Sequence, residues 1–352
     1  MIVYDLLKPL LFRLNPESAH NVAIWALRQG LVGGYQKADD PILATRVWDM
    51  AFPNPIGLAA GFDKHAQVID PMLNLGFGFV EAGSVTPLPQ PGNPKPRLFR
   101  LTQDAAVINR FGFNSHGLDY FVNNLGQRTR RGIVGANLGK NKLTLDAASD
   151  YEKGIEAVVG LAEYLVCNVS SPNTPGLRGL QARSQIDELI KRVLIAREKF
   201  GKKLKRLPPL LVKVGPDLDE SQMADIAEVA LMNRLDGLIL GNTTLTRPGL
   251  SSLDADQEGG LSGAPLMSLA TQCLSHFYRL TEGKIPLIGC GGVANGKDAY
   301  AKIRAGASLV QLYSALIYQG PSLILTIKAQ LADLIRADGF SSIAQAVGAD
   351  HR

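Results

Sequence analysis

Cysteine is scarce in this chain. Three residues in 352, Cys167, Cys273 and Cys290, are odd in number, far apart and without a C-x-x-C pair. That excludes a disulfide framework and a thiolate zinc site and fits a reducing cytoplasm. Histidine is nearly as sparse. His20, His65, His116, His276 and His351 show no H-x-x-x-H or carboxylate spacing, so no metal is expected. No stretch reaches the ~18 apolar residues of a spanning helix. The opening M-I-V-Y-D-L-L-K-P is broken by Asp5, Lys8 and Pro9 and leads to no small-residue cleavage site, so a signal peptide is not expected. No G-x-G-x-x-G follows an apolar run, so neither is a dinucleotide fold.

What is present is an ordinary globular composition, 46% hydrophobic and 20% charged, with 36 glycines. Length alone suggests two or three domains, but α/β barrels of this size form one. The net charge of +5 is concentrated. Lys191, Arg192, Arg197, Lys199, Lys202, Lys203, Lys205 and Arg206 lie along one helix and its exit, and Arg128, Arg130 and Arg131 form a second cluster. No basic-plus-aromatic recognition motif accompanies either, so nucleic acid is not an expected partner. A solvated helix face is the simplest reading, with an anionic membrane surface or anionic substrate as alternatives.

Residues 1–40 read as a separate helical hairpin. Leu6, Leu7, Leu10, Leu11 and Leu14 fall on one helical face. Asn15-Pro16-Glu17 then reads as a helix start, with Asn as N-cap and Pro in the first turn. A second helix carries Val22, Ala23, Ala26 and Leu27 on one stripe and ends at Gly30. Two readings stand: a cap packed on the core, or an interfacial anchor with leucines in lipid and basic residues among headgroups. In the cap reading His20 is a helix-surface residue.

Residues 41–340 read as a barrel and 341–352 as a tail. Apolar runs Ile56–Ala60, Phe79–Val85, Ile133–Leu138, Tyr164–Val169, Leu210–Val214, Gly237–Leu240, Pro286–Cys290 and Ser308–Tyr313 alternate with helical patterns. In one of these, Ile186, Leu189, Ile190, Val193 and Leu194 form a stripe. Eight β-then-α units predict a (β/α)8 TIM barrel, and continuous apolar runs suit strands covered on both faces. Cys167 and Cys290 fall in such runs, as small buried hydrophobes.

The strand exits read A-A-G-F-D-K, E-A-G-S-V-T, G-A-N-L-G-K, C-N-V-S-S-P-N-T, V-K-V-G-P, L-G-N-T-T, G-C-G-G-V and Q-L-Y-S. Each delivers a Gly, Asn, Ser, Thr, Lys or Tyr to the face where barrels build their sites. Gly291-Gly292 and Tyr313-Ser314 follow the seventh and eighth strands, where barrels hold phosphate, although paired glycines also mark plain tight turns. Lys64 and Lys213 offer two roles, Schiff-base chemistry or anion neutralisation, and the company of a phosphate site and many amides points to the second. Asn109, Asn137, Asn168, Asn173 and Asn242 suit a heterocycle with alternating N–H and C=O groups.

The ordered blocks A-A-G-F-D-K, N-R-F-G-F-N, N-V-S-S-P-N-T-P-G-L-R, G-N-T-T-L, G-G-L-S-G and G-C-G-G-V resemble the dihydroorotate dehydrogenases. The helix pair and the serine of S-P-N-T-P-G resemble class 2, the membrane-associated, quinone-dependent branch. The similarity runs from about residue 4 to about 338. It implies FMN-dependent oxidation of (S)-dihydroorotate to orotate, the fourth step of de novo pyrimidine biosynthesis. It also implies a membrane quinone as oxidant, a monomer, and peripheral attachment to the cytoplasmic face of the inner membrane.

Carried over position by position, the resemblance makes Ser171 the base that takes the C5 proton. Thr174 and Phe113 stand at the relay positions, and Pro172 and Pro175 stiffen the loop. FMN would contact Ala60, Gly61, Phe62, Asp63, Lys64, Ser84, Asn137, Asn168, Lys213, Gly241, Gly263, Gly292, Tyr313 and Ser314. The pyrimidine would meet Lys64, Asn109, Arg110, Phe111, Gly112, Phe113, Asn168, Asn173, Asn242 and Thr243. His20, Arg100 and Tyr313 would line a quinone tunnel. Three departures stand out: Ser84 and Gly241 where threonine is common in the family, and Cys290 where valine is.

Overall fold

The computed structural model describes residues 2–34, 38–129 and 132–352; Arg130 and Arg131 of the second basic cluster lie outside them. Helices α1 (Ile2–Arg13) and α2 (Pro16–Arg28) form the expected hairpin, with the Asn15 side chain accepting from Glu17 N–H at 3.0 Å. Pro9 falls inside α1. A short antiparallel pair follows, β1 (Thr45–Val47) and β2 (Met50–Phe52).

The barrel strands are β3 (Ile56–Leu58), β4 (Phe79–Val85), β7 (Ile133–Leu138), β8 (Tyr164–Asn168), β9 (Leu210–Val214), β10 (Gly237–Leu240), β12 (Leu287–Cys290) and β13 (Leu309–Leu312). They pair in parallel in that order and close on themselves. Around them lie α3 (Ile69–Asn74), α4 (Leu118–Gln127), α5 (Ala147–Val158), α6 (Arg183–Gly201), α7 (Glu220–Met232), α8 (Met267–Leu280), α9 (Gly296–Arg304), α10 (Ser314–Gln319), α11 (Leu323–Ala337) and α12 (Ile343–Ala346). All eight strand readings match, shortened by a residue or two at some ends.

Two elements lack a counterpart in the sequence reading. The β1–β2 pair plugs one end of the barrel: Val47, Met50 and Phe52 join the interior cluster of Phe79, Tyr164 and Ile239. Its turn uses Trp48 and Asp49, both at positive φ (50° and 57°), a hairpin geometry that usually announces itself with Asn-Gly. The second is a three-stranded antiparallel sheet of β5 (Leu98–Leu101), β6 (Ala106–Asn109) and β11 (Gly260–Gly263). It joins insertions that follow β4 and β10.

Barrel closure depends on which strand positions carry no side chain. A Cβ on Gly57 would lie 2.2 Å from the Phe79 ring, and one on Gly135 would lie 2.1 Å from the Tyr164 ring. Each glycine leaves room for the aromatic ring of the next strand, so the interior is filled rather than open. The α6 stripe Ile186, Leu189, Ile190 and Val193 is buried as expected. Part of the basic cluster on α6 is paired with acids: Lys191 with Asp187 (2.6 Å), Arg192 with Asp146 (2.8 Å) and Glu152 (2.7 Å), and Arg197 with Asp236. Arg128 pairs with Glu163 at 2.7 Å. Residues 341–352 fold back on the barrel, with Ile343 and Ala346 in the core and His351 stacked on Tyr278.

Candidate active site

The parity of the strands sets the floor of the site. Ala59, Asn137, Lys213 and Cys290 point inward at the ends of β3, β7, β9 and β12. Each lies two residues beyond, or on the same face as, an interior residue such as Ile133, Leu211 or Ile288. Above them opens a cavity walled by the strand exits and the loops that follow them. From the expected set, the walls bring together Ala60, Gly61, Lys64, Ser84, Asn109, Phe111, Gly112, Phe113, Asn168, Ser171, Asn173, Lys213, Asn242, Thr243, Gly263, Gly292, Tyr313 and Ser314.

The remaining expected residues lie off this cavity. Asp63 is spent on its own loop: its carboxylate accepts from the N–H groups of His65, Gln67 and Val68 at 3.3, 2.8 and 2.8 Å. Phe62 turns outward to meet the edge of His20 at 5.4 Å. Arg110 also points away, donating to Gln257 Oε1 and Glu258 O, both at 3.0 Å, over the Phe99 ring. Asn137 lies one step below the surface, fully buried. Gly241 does not line the cavity; its φ of +112° and a Cβ position 2.0 Å from Cys290 O leave no space for the threonine common there. Arg100 is spent on α1, donating to Leu11 O (3.2 Å) and Phe12 O (3.0 Å).

The loop after β8 carries Ser171, nine-tenths buried in the cavity wall. Its Oγ accepts from Asn173 N–H at 3.3 Å. No imidazole or carboxylate hydrogen-bonds it among the described residues. The buried Oγ1 of Thr174 has no partner there either, nor has that of Thr243 across the cavity. Arg178 fastens the loop by donating to Ser170 O (3.3 Å), Thr243 O (3.1 Å) and the Asp217 carboxylate (2.9 Å).

Two lysines face the cavity. Lys213 is buried, and among the described residues its ammonium has no carboxylate or carbonyl partner. Lys64 donates to Gly61 O at 2.9 Å and lies 4.2 Å from the centre of the Phe111 ring. Burial disfavours its charge and pulls its pKa from 10.5 to about 8. His20, beside Phe62 and Tyr313, is pushed down to about 3, first by burial and then by the nearby Lys64 charge, so it is neutral.

Comparison with known proteins places this geometry. The family model described as dihydroorotate dehydrogenase matches residues 42–335. The dihydroorotate dehydrogenase (quinone) of Azorhizobium caulinodans is 59% identical, with both chains covered in full. The chain belongs to the dihydroorotate dehydrogenase family. The mitochondrial quinone enzyme of Oryza sativa is 50% identical over 99% of this chain and 80% of its own. A crystal structure of DHODH from Eimeria tenella in complex with ferulenol superposes with a TM-score of 0.93 at 41% identity, covering 98% of this chain and 99% of that one.

Membership in this family implies a flavin, and the residues fit one. A Cβ on Gly61 would meet nothing nearer than the Tyr313 ring at 3.8 Å, so that side chain's place is left to the cavity. The unpaired Lys213 ammonium at the floor suits an electron-rich heterocycle. Gly263, Gly292 and the Ser314 hydroxyl, which shares a 2.8 Å hydrogen bond with Ser262, gather neutral donors at one end as a phosphate requires. The sequence reading missed Ser262 and Asn114 as lining residues, although both stand in quoted blocks. It also missed Ile317 and Tyr318 on α10, which only the return of α10 toward α1 brings to the cavity.

Proposed function

We propose that the cavity holds FMN over Lys213 and that dihydroorotate stacks against it beneath the Ser171 loop. The chain is an oxidoreductase that converts (S)-dihydroorotate to orotate in pyrimidine biosynthesis and passes the electrons to a quinone. A flavin bound in this cavity would supply the acceptor for the hydride that leaves C6 of the substrate.

The protein's own contribution is placement and proton handling. Ser171 Oγ takes the C5 proton. A serine is a weak base at its free pKa, so as Ser171 takes the C5 proton its own hydroxyl proton must pass on to solvent water; Thr174, whose buried Oγ1 has no partner among the described residues, stands in the same loop to relay it through water. Pro172 and Pro175, which follow Ser171, and the Arg178 clamp hold the loop's aim. Lys64 meets the substrate carboxylate; an anion there restores the charge that burial weakens. Asn109, Asn173 and Asn242 present amides to the ring's N–H and C=O groups. Lys213 neutralises the negative charge that develops on the reduced heterocycle.

The hairpin supplies the quinone's route. α1 is tied to α10 by Tyr4 OH donating to Ile317 O (2.6 Å) and by Lys8 donating to Tyr318 O (2.7 Å). Arg100 holds its other side, and His20 on α2 lies 6.5 Å from the Tyr313 ring. Leu6, Leu10 and Trp25 are 73%, 61% and 56% exposed, beside Lys8 and Arg28. No helix among the described residues is long and apolar enough to cross a membrane. The exposed leucines support peripheral attachment in the lipid interface; our reading is of a monomer on the cytoplasmic face of the inner membrane. The observation that carries the whole reading is the convergence of Lys64, Ser171, Lys213 and the amides on one cavity in a chain of this family. Orotate formation from dihydroorotate with a soluble quinone tests it. No orotate from flavin-replete protein overturns it.

A further inference from the structure

Beneath the cavity floor lies a carboxylate that the reaction does not touch. Glu81 is fully buried inside the barrel, and no cationic side chain pairs with it among the described residues. Three donors converge on it instead: Asn137 Nδ2 at 2.7 Å, Tyr164 OH at 3.1 Å and Gln311 Nε2 at 2.6 Å. An unpaired buried carboxylate is costly, and an apolar residue would fill the barrel without that cost. Its consequence lies in direction. A carboxylate only accepts hydrogen bonds, so Asn137 must turn its NH2 down toward Glu81 and its Oδ1 up. That oxygen accepts the Ser84 hydroxyl. With its proton committed downward, Ser84 Oγ accepts from Asn168 Nδ2 at 2.9 Å. Asn168 is thereby turned so that its Oδ1 accepts from Ser170 Oγ at 2.8 Å and lies within 3.4 Å of Asn242 Nδ2. Every bond in the chain runs toward Glu81. Burial first, and then the Glu81 charge, raises the pKa of Tyr164, which keeps its hydroxyl a donor.

We infer that Glu81 is a positioning residue for the reaction. It is the terminal acceptor of a one-way hydrogen-bond chain that fixes the amide orientation of Asn168, and through it Asn242, at the cavity. The remaining N–H of Asn168 then faces the ligands, which must answer with an acceptor. Ring carbonyls provide one, and a ligand offering N–H at that point is rejected. This inference rests on the proposed pyrimidine and flavin site.

The test uses flavin-loaded protein and reads orotate affinity from the shift of the flavin absorption band. If wild-type protein shows no such shift, the functional reading fails before Glu81 is in question. Glu81→Gln removes the obligate acceptor and lets Asn137 flip, so the orotate Kd should rise about tenfold, the worth of one well-directed buried hydrogen bond. Adding Asn137→Asp rebuilds the direction one step higher, since a carboxylate at position 137 accepts both from the new amide at position 81 and from the Ser84 hydroxyl. The double variant should recover at least about threefold of that loss. Asn137→Asp alone places two carboxylates together and should be worse than the double variant. Orotate affinity within about twofold of wild type in Glu81→Gln contradicts the inference, as does a double variant no better than its parents. A Glu81→Gln chain that fails to fold and is restored by Asn137→Asp supports it. One that stays unfolded in the double variant overturns it.

Discussion

The chemistry assigned to single residues gives two sharp expectations. Ser171→Ala keeps the cavity's shape and its flavin but removes the hydroxyl that takes the C5 proton. Flavin reduction by dihydroorotate in anaerobic rapid mixing should slow by about 10²–10⁴-fold, the usual worth of a positioned base; a near-normal rate would remove Ser171 from the role. Lys64 titrates near 8 in the free protein because burial disfavours its ammonium. A carboxylate ligand binds the charged form. Orotate affinity should therefore be flat below about pH 7 and fall about tenfold per pH unit above about 8. An ordinary lysine would hold affinity to about pH 10. An orotate Kd constant to pH 10 would show that the carboxylate does not rest on a lysine whose charge burial has weakened. At this scale the sequence was legible by block and not by direction. A-A-G-F-D-K marks a site loop, yet Gly61 and Lys64 face the cavity while Asp63 turns in to hold three N–H groups of its own turn. Loop membership follows from residue order, but side-chain direction is set by the turn's hydrogen bonds. Glu81 left no signal, since one acid in an apolar strand does not reveal what hydrogen-bonds to it.

Among the elements, the catalytic loop and the hairpin can be separated from the barrel. Arg178 ties the Ser171 loop to the exits of β9 and β10 through Asp217 and Thr243. In Arg178→Ala, flavin content should stay normal while reduction by dihydroorotate slows about tenfold, as the loop loses its aim. Unchanged reduction would make the clamp incidental. Removing residues 1–38 should abolish quinone reduction and weaken binding to anionic vesicles, while dihydroorotate still bleaches the flavin. Persistent quinone turnover would contradict the proposed tunnel. The hairpin was readable because its periodicity and caps are local, with Asn15, Pro16 and the leucine stripe close together in the chain. The β1–β2 plug and the β5–β6–β11 sheet were not. The plug turns on Trp48 and Asp49 in left-handed conformations that neither residue type announces. The small sheet pairs Ala106–Asn109 with Gly260–Gly263 across a long stretch of chain, and pairing at that distance leaves no periodic trace.

For the whole molecule, the barrel was legible because eight apolar runs, each buried on both faces, recur in a β-then-α rhythm that admits few other closures. The convergence of their tips follows from closure itself. The relation of barrel to hairpin was less legible: α10 meets α1 through backbone carbonyls of Ile317 and Tyr318, groups that every residue carries. All of this chemistry requires that the tips enclose a flavin which dihydroorotate reduces and a quinone reoxidises. The visible spectrum of the purified protein under anaerobic conditions tests that most directly. Flavin bands should bleach on adding dihydroorotate and return on adding quinone. A protein that stays colourless after incubation with FMN, or whose bands do not respond to dihydroorotate, contradicts the proposed reaction.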